Sequence, residues 1–230
     1  MDSAPYAAFA KQQLGTTFKD LDLLVLAFTH RSYVNEHRKT VSEHNERMEF
    51  LGDAVLELVV TEFLYNNYPD PEGTLTNWRS SLVRTESISE AAKRSDFEPL
   101  LRLSRGEKRG SDRARAQILA NTYEAVIGAL YIDQGYEAAK QFIAKSLLPT
   151  FDKILETGSW MDGKSHLQEK AQAVDNATPV YKVIEEEGPD HDKIFTVGVY
   201  VNDKLMGQGS GPSKQIGQQQ AASEALQKYQ

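Results

Sequence analysis

The chain has 230 residues, of which 40% are hydrophobic and 26% are charged, a composition typical of a globular protein with one or two domains. It contains no cysteine, which excludes disulfides, thiolate chemistry and cysteine-based zinc sites and leaves carboxylate, amide and imidazole groups as metal ligands. The net charge of −7 argues against a polyanionic partner, and the lack of a long apolar run or leader segment predicts a cytoplasmic protein without a membrane span.

The first 40 residues are predicted to be helical, because apolar side chains from Leu14 to Phe28 recur at helical spacing. A polar segment, THRSYVNEHRK, follows. Three histidines (His30, His37 and His44) lie in or near it, and packing or surface roles suit them better than metal ligation, since no set of partner ligands accompanies them.

Residues 45–64 form the most informative stretch, an apolar helical run that carries four acids on one stripe. These acids are Glu46, Glu49, Asp53 and Glu57. At about 100° per residue the stripe is about 80° wide, and no Lys or Arg stands at the i+4 spacing that would neutralise it. Apolar side chains such as Phe50 and Leu58 surround the rest of the helix, which predicts burial and a cation between the acids. Gly52 indicates close approach of another backbone or a substrate. The alternative is a solvated acidic face.

A loop rich in helix breakers, NNYPDPEGTL, follows and carries Glu72. Thr74 is predicted to cap a helix over residues 75–94. Residues 102–115 then hold six basic side chains against two acidic ones in a glycine-punctuated segment. Such a segment is typical of solvated surface, but this one leads directly into a second helix of chemical interest.

That second helix, residues 117–133, carries Asn121 and Glu124 at i and i+3 and therefore on one face. Glu124 is the only charged residue between Arg115 and Asp133, and a buried carboxylate needs a cation. Oxygen donors from two distant helices predict a divalent-metal site, although bare carboxylate spacing is only moderately specific.

The sequence pattern of the chain changes after a helix predicted at residues 137–156. A short linker at residues 157–163 precedes a pattern of helix, three alternating strands and helix over residues 164–230. VNDK at residues 201–204 is predicted to be a tight hairpin turn, and Ser213 is predicted to cap the last helix. Residues 164–230 therefore form a compact second domain.

Several of these stretches together resemble bacterial ribonuclease III over essentially the whole length of the chain. NERMEFLGDAVLE matches the signature of that family, AFTHRSYVNEH and PEGTLTNWRSSLV are similar to its flanking segments, and ILANTYEAVIGALYID is similar to its second carboxylate helix. The C-terminal part resembles a double-stranded RNA-binding domain at KSHLQE, GPDH and a Ser-Lys helix start. The resemblance implies a multidomain fold, with an all-α endonuclease domain (residues 1–156), a linker and a small α-β-β-β-α domain.

The resemblance also implies the chemistry. It assigns Mg²⁺, for which Mn²⁺ can substitute, to Glu49, Asp53, Asn121 and Glu124, with Asp53 and Glu124 most directly catalytic. Glu46 and Glu72 match positions that border the cleavage centre and contribute to RNA contacts or to a homodimer. The implied reaction is hydrolysis of double-stranded RNA to 5′-phosphate and 3′-hydroxyl ends with short 3′ overhangs, in the processing of rRNA precursors and structured transcripts. No membrane and no small-molecule cofactor are implied.

In the second domain, the resemblance assigns RNA contacts to seven residues. They are Ser165, Gln168, Glu169, Gln172, Pro189, His191 and Lys214. Polar side chains can read the 2′-hydroxyls of the shallow minor groove of A-form RNA, and Lys214 at a helix start suits a phosphate.

Two positions depart from the family pattern. Asn121 stands where the family often has Asp, which predicts a raised magnesium requirement, and Gln215 replaces a usual second Lys. Residues 161–230 hold seven Lys and no Arg against ten acids, a net charge of −3.

The alternative to an active nuclease is a catalytically impaired RNA-binding scaffold dimer, because of Asn121. A helical phosphohydrolase for nucleotides does not account for the second domain.

Overall fold

In the computed structural model the chain is described for residues 3–157, 160, 163–189 and 193–229. It divides into two compact units, Met1–Glu156 and Thr157–Gln230, and each is described by itself. The linker predicted at residues 157–163 lies partly outside the described residues.

The first unit is built from helices. In chain order they are α1 (Ala4–Phe9), α2 (Leu21–Ala27), α3 (Arg31–Glu36), α4 (Glu46–Asn67), α5 (Glu72–Val83), α6 (Thr85–Arg94), α7 (Asp112–Gln134), α8 (Tyr136–Ser146) and α9 (Phe151–Thr157). A π-helical turn at Ala10–Leu14 and short 3₁₀ turns connect some of them.

The two long helices, α4 and α7, cross backbone to backbone at a pair of glycines. A Cβ atom at Gly52 would overlap the carbonyl group of Glu124, and one at Gly128 would overlap the carbonyl oxygen of Met48. This contact confirms the close backbone approach that Gly52 predicted. It also explains why a residue with poor helix propensity stands in the middle of each long helix.

An aromatic cluster fills the core around this crossing. The rings of Phe28 and Phe97 lie 5.1 Å apart, and Tyr123 on α7 lies 5.1 Å from Phe142 on α8. Phe28, Phe97 and Tyr123 are fully buried. Such edge and tilted ring contacts contribute about 0.5–1.5 kcal/mol each beyond the area they bury, so the cluster holds α7 against its neighbours.

Three predicted helices are divided in the structure, and the one predicted at residues 137–156 splits into α8 and α9 around a 3₁₀ turn at Leu148–Thr150. The N-terminal helical region is interrupted after Leu14, where Gly15 adopts a left-handed φ of 70° that ends the π-helical turn. The helix predicted over residues 75–94 begins earlier, at Glu72, and breaks at Arg84, whose ψ is 153°. Ser87 donates its hydroxyl to the Ser81 carbonyl at the break, which replaces a backbone hydrogen bond there. The prediction of Thr74 as the helix cap is wrong, since Pro71 occupies that position.

One face of α4 is apolar and exposed in the single chain. Phe50 is 81% exposed, Leu58 57% and Tyr65 78%. The prediction that Phe50 and Leu58 are buried is therefore wrong for one copy of the chain. These three side chains lie at i, i+8 and i+15, which places them along one side of the helix.

The second unit packs two helices on one face of a three-stranded antiparallel sheet of order β1-β2-β3. Its elements are α10 (Gly163–Asp175), β1 (Val180–Glu187), β2 (Ile194–Val201), β3 (Lys204–Gly211) and α11 (Lys214–Leu226). Leu167 and Val199 form its core with three alanines of α11. A Cβ atom on Gly207 or Gly209 of β3 would overlap the backbone of α11, so these glycines let the helix lie close to the sheet.

The predicted element order and two local signals of this unit are confirmed. Asn202 and Asp203 both adopt left-handed φ angles in the turn between β2 and β3, as a tight hairpin requires. The Ser213 side chain accepts a hydrogen bond from the amide of Ile216 and caps α11. Within the described part of the chain, no helix combines the length and the apolar character needed to cross a membrane.

Candidate active site and RNA-binding surface

The crossing of α4 and α7 brings the acids of both helices into one site. Glu124 interacts electrostatically with Asp53 and Glu49, and Asn121 lies one turn before Glu124 on the same face of α7. Since Gly52 lies between Glu49 and Asp53 and contacts the backbone of Glu124, the glycine contact itself sets the spacing of these groups. The four residues predicted as metal ligands therefore lie on the turns of α4 and α7 next to this crossing.

Two acids at the centre of the site, Glu49 and Glu124, carry a penalty for ionisation. Burial raises the pKa of Glu124 to about 8, and the charges of Asp53 and Glu49 add to the effect. Burial, followed by the neighbouring Glu46, also raises the pKa of Glu49, while the hydrogen bond from Asn121 opposes that shift. A site with these properties favours either a proton or a metal cation.

The two ends of the α4 stripe differ from its centre. Glu46 pairs with Arg31 at 3.4 Å, and Glu57 pairs with Arg79 of α5 at 3.1 Å. Among the described residues, no ion pair involves Glu49, Asp53 or Glu124. Glu49 and Glu124 are half-buried, whereas Asp53 is exposed, so the prediction of burial is wrong for Asp53 in a single chain. The cation expected for these acids is not supplied by a Lys or Arg of the described chain.

Glu72, the remaining acid of the predicted site, lies elsewhere in this unit. It is exposed at the start of α5 and lines a cavity of about 490 Å³ between α4 and α5, together with Leu64, Tyr65 and Leu75. None of the central acids lines that cavity. A single chain therefore does not bring Glu72 into the acidic site.

Most of the predicted RNA-binding residues lie on exposed surface of the second unit. Ser165, Gln168, Glu169 and Gln172 are exposed at i, i+3, i+4 and i+7 along one face of α10. Pro189 is exposed just after β1, whereas His191 lies outside the described residues.

Lys214, the first residue of α11, is held by a neighbouring acid. Its ammonium group lies 3.2 Å from the carboxylate of Glu186, which also lies 3.6 Å from Lys193. The pairing with Lys214 and Lys193 holds the pKa of Glu186 below its usual range. The start of α11 therefore carries less net positive charge than its lysines alone suggest.

The basic segment before α7 is only partly free for a ligand. Arg102 donates to the Thr29 hydroxyl at 2.8 Å and lies over the ring of Tyr33, so its role is structural. The exposed cations of this segment are Arg105, Lys108, Arg109 and Arg113.

Comparisons with known proteins connect both units to one family. A ribonuclease-III-like domain matches residues 20–151, and a double-stranded RNA binding motif matches residues 164–229. The chain is similar to Ribonuclease 3 of Enterococcus faecalis, with 45% identity over 94% of each chain. It is also similar to Ribonuclease 3 of Protochlamydia amoebophila, with 44% identity over 95% of this chain and 90% of that one.

The chain belongs to the ribonuclease III family. It is an endoribonuclease, and double-stranded RNA is its partner. A crystal structure of the nuclease domain of ribonuclease III from Campylobacter jejuni matches with a TM-score of 0.57 and 34% identity, covering 66% of this chain and 97% of that one. A second structure of that domain matches with a TM-score of 0.55 and 35% identity, covering 61% of this chain and 97% of that one. That structure shows structural flexibility in a region involved in dimer formation.

Ribonucleases III are generally metal-dependent, and the donor set at the helix crossing fits a hard cation by its chemistry. Three carboxylates and one amide offer only oxygen as ligand atoms, which suits Mg²⁺ or Mn²⁺. In the described part of the chain, however, no group of three or more His, Asp or Glu side chains is arranged so that it could hold a metal ion. The helix crossing therefore places these donors on neighbouring turns without forming a metal site, and the ion belongs to the proposal below.

Sequence reasoning missed several residues around the ribonuclease III site. Arg31 and Arg79 neutralise the ends of the acidic stripe from other helices, and no sequence signal links them to it. Gln117 donates a hydrogen bond to Asn121, and its i, i+4 spacing could have indicated this contact.

Proposed function

We propose that this chain is a Mg²⁺-dependent endoribonuclease that hydrolyses phosphodiester bonds in double-stranded RNA as a homodimer. The products would be 5′-phosphate and 3′-hydroxyl ends with short 3′ overhangs. We further propose rRNA precursors and structured transcripts as substrates. The observation that carries the proposal is the group of acids without a counter-charge at the crossing of α4 and α7, in a chain that also has a double-stranded RNA-binding motif.

The metal would be held by the carboxylates of Glu49, Asp53 and Glu124 and by the amide oxygen of Asn121, with Asp53 and Glu124 as the catalytic pair. A bound divalent cation supplies an activated water as the nucleophile and neutralises charge on the reacting phosphoryl group. The residues of this chain position that chemistry, because the glycine crossing fixes the two helices that carry the four groups.

The second unit would recognise the shape of the RNA duplex. The exposed polar face of α10 suits the 2′-hydroxyls of the minor groove, and Lys214 at the start of α11 suits phosphate oxygens. Pro189 belongs to the same proposed surface, and so does His191, which lies outside the described residues. The exposed cations at residues 105–113 would add phosphate contacts from the nuclease unit.

The exposed apolar face of α4 supports the homodimer. Phe50, Leu58 and Tyr65 lie along about 22 Å of helix, and exposed apolar surface of this extent is typical of a protein interface. A twofold dimer presents two identical cleavage centres of opposite polarity, which matches the antiparallel strands of a duplex. The cavity lined by Glu72 adjoins the same face through Tyr65, so a second copy would be the partner that brings Glu72 near a cleavage centre.

The test is cleavage of a long duplex RNA by the purified chain with Mg²⁺ and then with EDTA. We expect cleavage in Mg²⁺ only, with products that a 5′-phosphate-dependent exonuclease degrades. The single-site variant Glu124→Gln should bind the duplex as tightly as the wild type and fail to cut it. Binding without cleavage by the wild type at every Mg²⁺ concentration would instead support the scaffold alternative.

A further inference from the structure

A short stretch that ends at the start of α3 connects the acidic helix α4 with the basic segment before α7. On one side, the Asn45 amide donates to the Thr29 carbonyl at 2.9 Å, and the Asn45 side chain donates to the Ala27 carbonyl at 3.0 Å. On the other side, the His30 amide donates to the Arg102 carbonyl at 3.1 Å. The same few residues therefore bind the residue before α4 and the first residue of the basic segment.

A second connection to the basic segment runs through side chains at the start of α3. The Nδ1 atom of His30 accepts a hydrogen bond from the Ser32 amide at 3.2 Å and caps the helix. Because a ring nitrogen that accepts carries no proton, the Ser32 hydroxyl, 2.8 Å away, donates to the same nitrogen. The Ser32 oxygen in turn accepts from the Ser104 amide at 3.1 Å. Ser104 is thus bound to α3 through two side chains in series.

Ser104 lies immediately before the exposed cations of the basic segment, which are Arg105, Lys108, Arg109 and Arg113. The Ser104 hydroxyl accepts from the Glu107 amide at 3.1 Å, where a 3₁₀ turn begins. The amide of Arg105 donates to the carboxylate of Glu36, on α3, at 3.3 Å. Hydrogen bonds to α3 and within the segment therefore fix the backbone that carries the first of these cations.

We propose that Ser32 is a positioning residue of this nuclease, which holds the basic segment at a fixed place relative to the acidic site so that its cations bind phosphates of the duplex being cut. Ser32 itself would touch neither RNA nor metal. The inference rests on the proposed function, since it assumes that the acids hold the metal and that the exposed cations contact RNA. Phosphate contacts set the register of a protein on a duplex, so this placement would select which phosphodiester bond reaches the acids.

The charge of the chain explains why a fixed position is useful. The net charge is −7, and the acids at the helix crossing repel phosphates until a metal is bound, so RNA binding by this unit depends on a few cations. A loose segment would lose conformational entropy when those cations bind RNA. Hydrogen bonds that already order the segment in the free protein reduce that loss.

The competing explanation is that His30 and Ser32 only stabilise α3. The helix has six residues, and a cap at its start contributes to folding wherever the helix lies. That explanation predicts a lower Tm when Ser32 is replaced. It also predicts that the folded variant contacts as many phosphates as the wild type and cuts at the same positions.

The first experiment measures binding of a duplex RNA to the full chain across a range of salt concentrations, in a Glu124→Gln background that prevents cleavage. We expect Ser32→Ala to weaken binding by roughly tenfold at low salt and to reduce the slope of log Kd against log salt by about 1–2, the loss of one or two phosphate contacts. The control is Ser89→Ala, because the buried Ser89 hydroxyl donates only to the Glu86 carbonyl within α6. Its slope should equal that of the parent.

A double-variant comparison separates positioning from a general loss of stability. Lys108→Ala combined with Arg109→Ala removes two of the exposed cations and should itself reduce the salt slope. In that background Ser32→Ala should reduce the slope much less than in the parent, because part of what it positions is gone. Circular dichroism melts identify the temperature range in which every variant is folded.

The second experiment maps the 5′ ends of the products from a hairpin RNA with one fixed end, with Glu124 intact and Mg²⁺ present. We expect Ser32→Ala to spread cleavage over neighbouring phosphodiester bonds, since the register is less well fixed. Ser89→Ala should cut where the wild type cuts. A role limited to the stability of α3 would slow cleavage by unfolding some of the protein, and the remaining folded protein would cut at wild-type positions.

Two results would overturn the positioning role. One is a wild-type salt slope together with wild-type cleavage positions in Ser32→Ala, and the other is an equal reduction of the slope with and without Lys108 and Arg109. Failure of the proposed function gives a different result. In that case the wild type would not cut the duplex in Mg²⁺, or removal of Lys108 and Arg109 would leave duplex binding unchanged.

Discussion

Glu49 and Glu57 lie on the same acidic stripe of α4, two helical turns apart, yet their surroundings differ completely. Glu57 is neutralised by Arg79 at 3.1 Å, whereas the acids Glu46 and Asp53 raise the pKa of Glu49 in addition to its burial, and no ion pair among the described residues involves it. Position on a helix determines which side chains share a face. The helix packed against each position determines whether an acid becomes a neutralised surface group or a candidate ligand.

The sharpest test of this difference compares Glu124→Gln with Glu57→Gln. Each removes one negative charge near the stripe, but only Glu124 belongs to the group without a counter-charge. We expect single-turnover cleavage of duplex RNA to fall by about a hundredfold or more in Glu124→Gln, the scale for loss of a catalytic acid or base. Glu57→Gln should remain within a few-fold of the wild type. Equal losses in both variants would mean that cleavage depends no more on Glu124 than on the neutralised Glu57.

The helix crossing can be tested by adding one methyl group to α4. Gly52→Ala would force the Cβ atom into the backbone of Glu124. We expect a loss of about 3 kcal/mol of folding free energy, which would lower the Tm by roughly 6–12 °C. In Gly73→Ala the Cβ atom meets open space, so its Tm should be equal or slightly higher. Circular dichroism melts of both variants decide the matter, and equal Tm values would contradict the backbone contact.

The raised pKa of Glu124 predicts a pH dependence of stability in the metal-free chain. Between about pH 4.5 and about 8 the folded state binds more protons at this group than the unfolded state does. The free energy of unfolding should therefore fall as the pH rises through this range. Glu124→Gln, which does not titrate, should lose less stability over the same interval.

The measurement is the difference in Tm between the wild type and Glu124→Gln in EDTA, at pH 5 and at pH 8. We expect the variant to gain several degrees relative to the wild type at pH 8, with a smaller difference at pH 5. A difference that is the same at both pH values would contradict the burial of the Glu124 carboxylate.

The smallest effect should come from the neutralised end of the stripe. Arg79→Ala removes the partner of Glu57, and both side chains are more than a third exposed. Pairs of this kind contribute about 0.2–1 kcal/mol, so the Tm should fall by only a few degrees at low salt and by less at high salt. A loss as large as that of Gly52→Ala would show that this pair is structural.

Much of the site could be predicted from the sequence because it depends on local spacing. The shared face of Glu49 and Asp53, the shared face of Asn121 and Glu124, and the close approach at Gly52 all follow from the helical repeat. The order of elements in the second unit followed in the same way from alternating strands and turn residues.

The features that the sequence did not reveal depend on contacts between distant elements. Arg79 pairs with Glu57 from another helix, so the spacing of residues along α4 could not indicate this ion pair. Helical periodicity assigned Phe50 and Leu58 to the core because it shows that a face is apolar but not what covers it.

The glycine contact between α4 and α7 has a consequence for how this scaffold can vary. Main-chain atoms set the interhelical distance there, so the volumes of neighbouring side chains have little control over it. Substitutions elsewhere in the hydrophobic interior can accumulate without moving the acids apart. Transfer of this carboxylate arrangement to another helical protein would therefore require the two glycines as well as the acids.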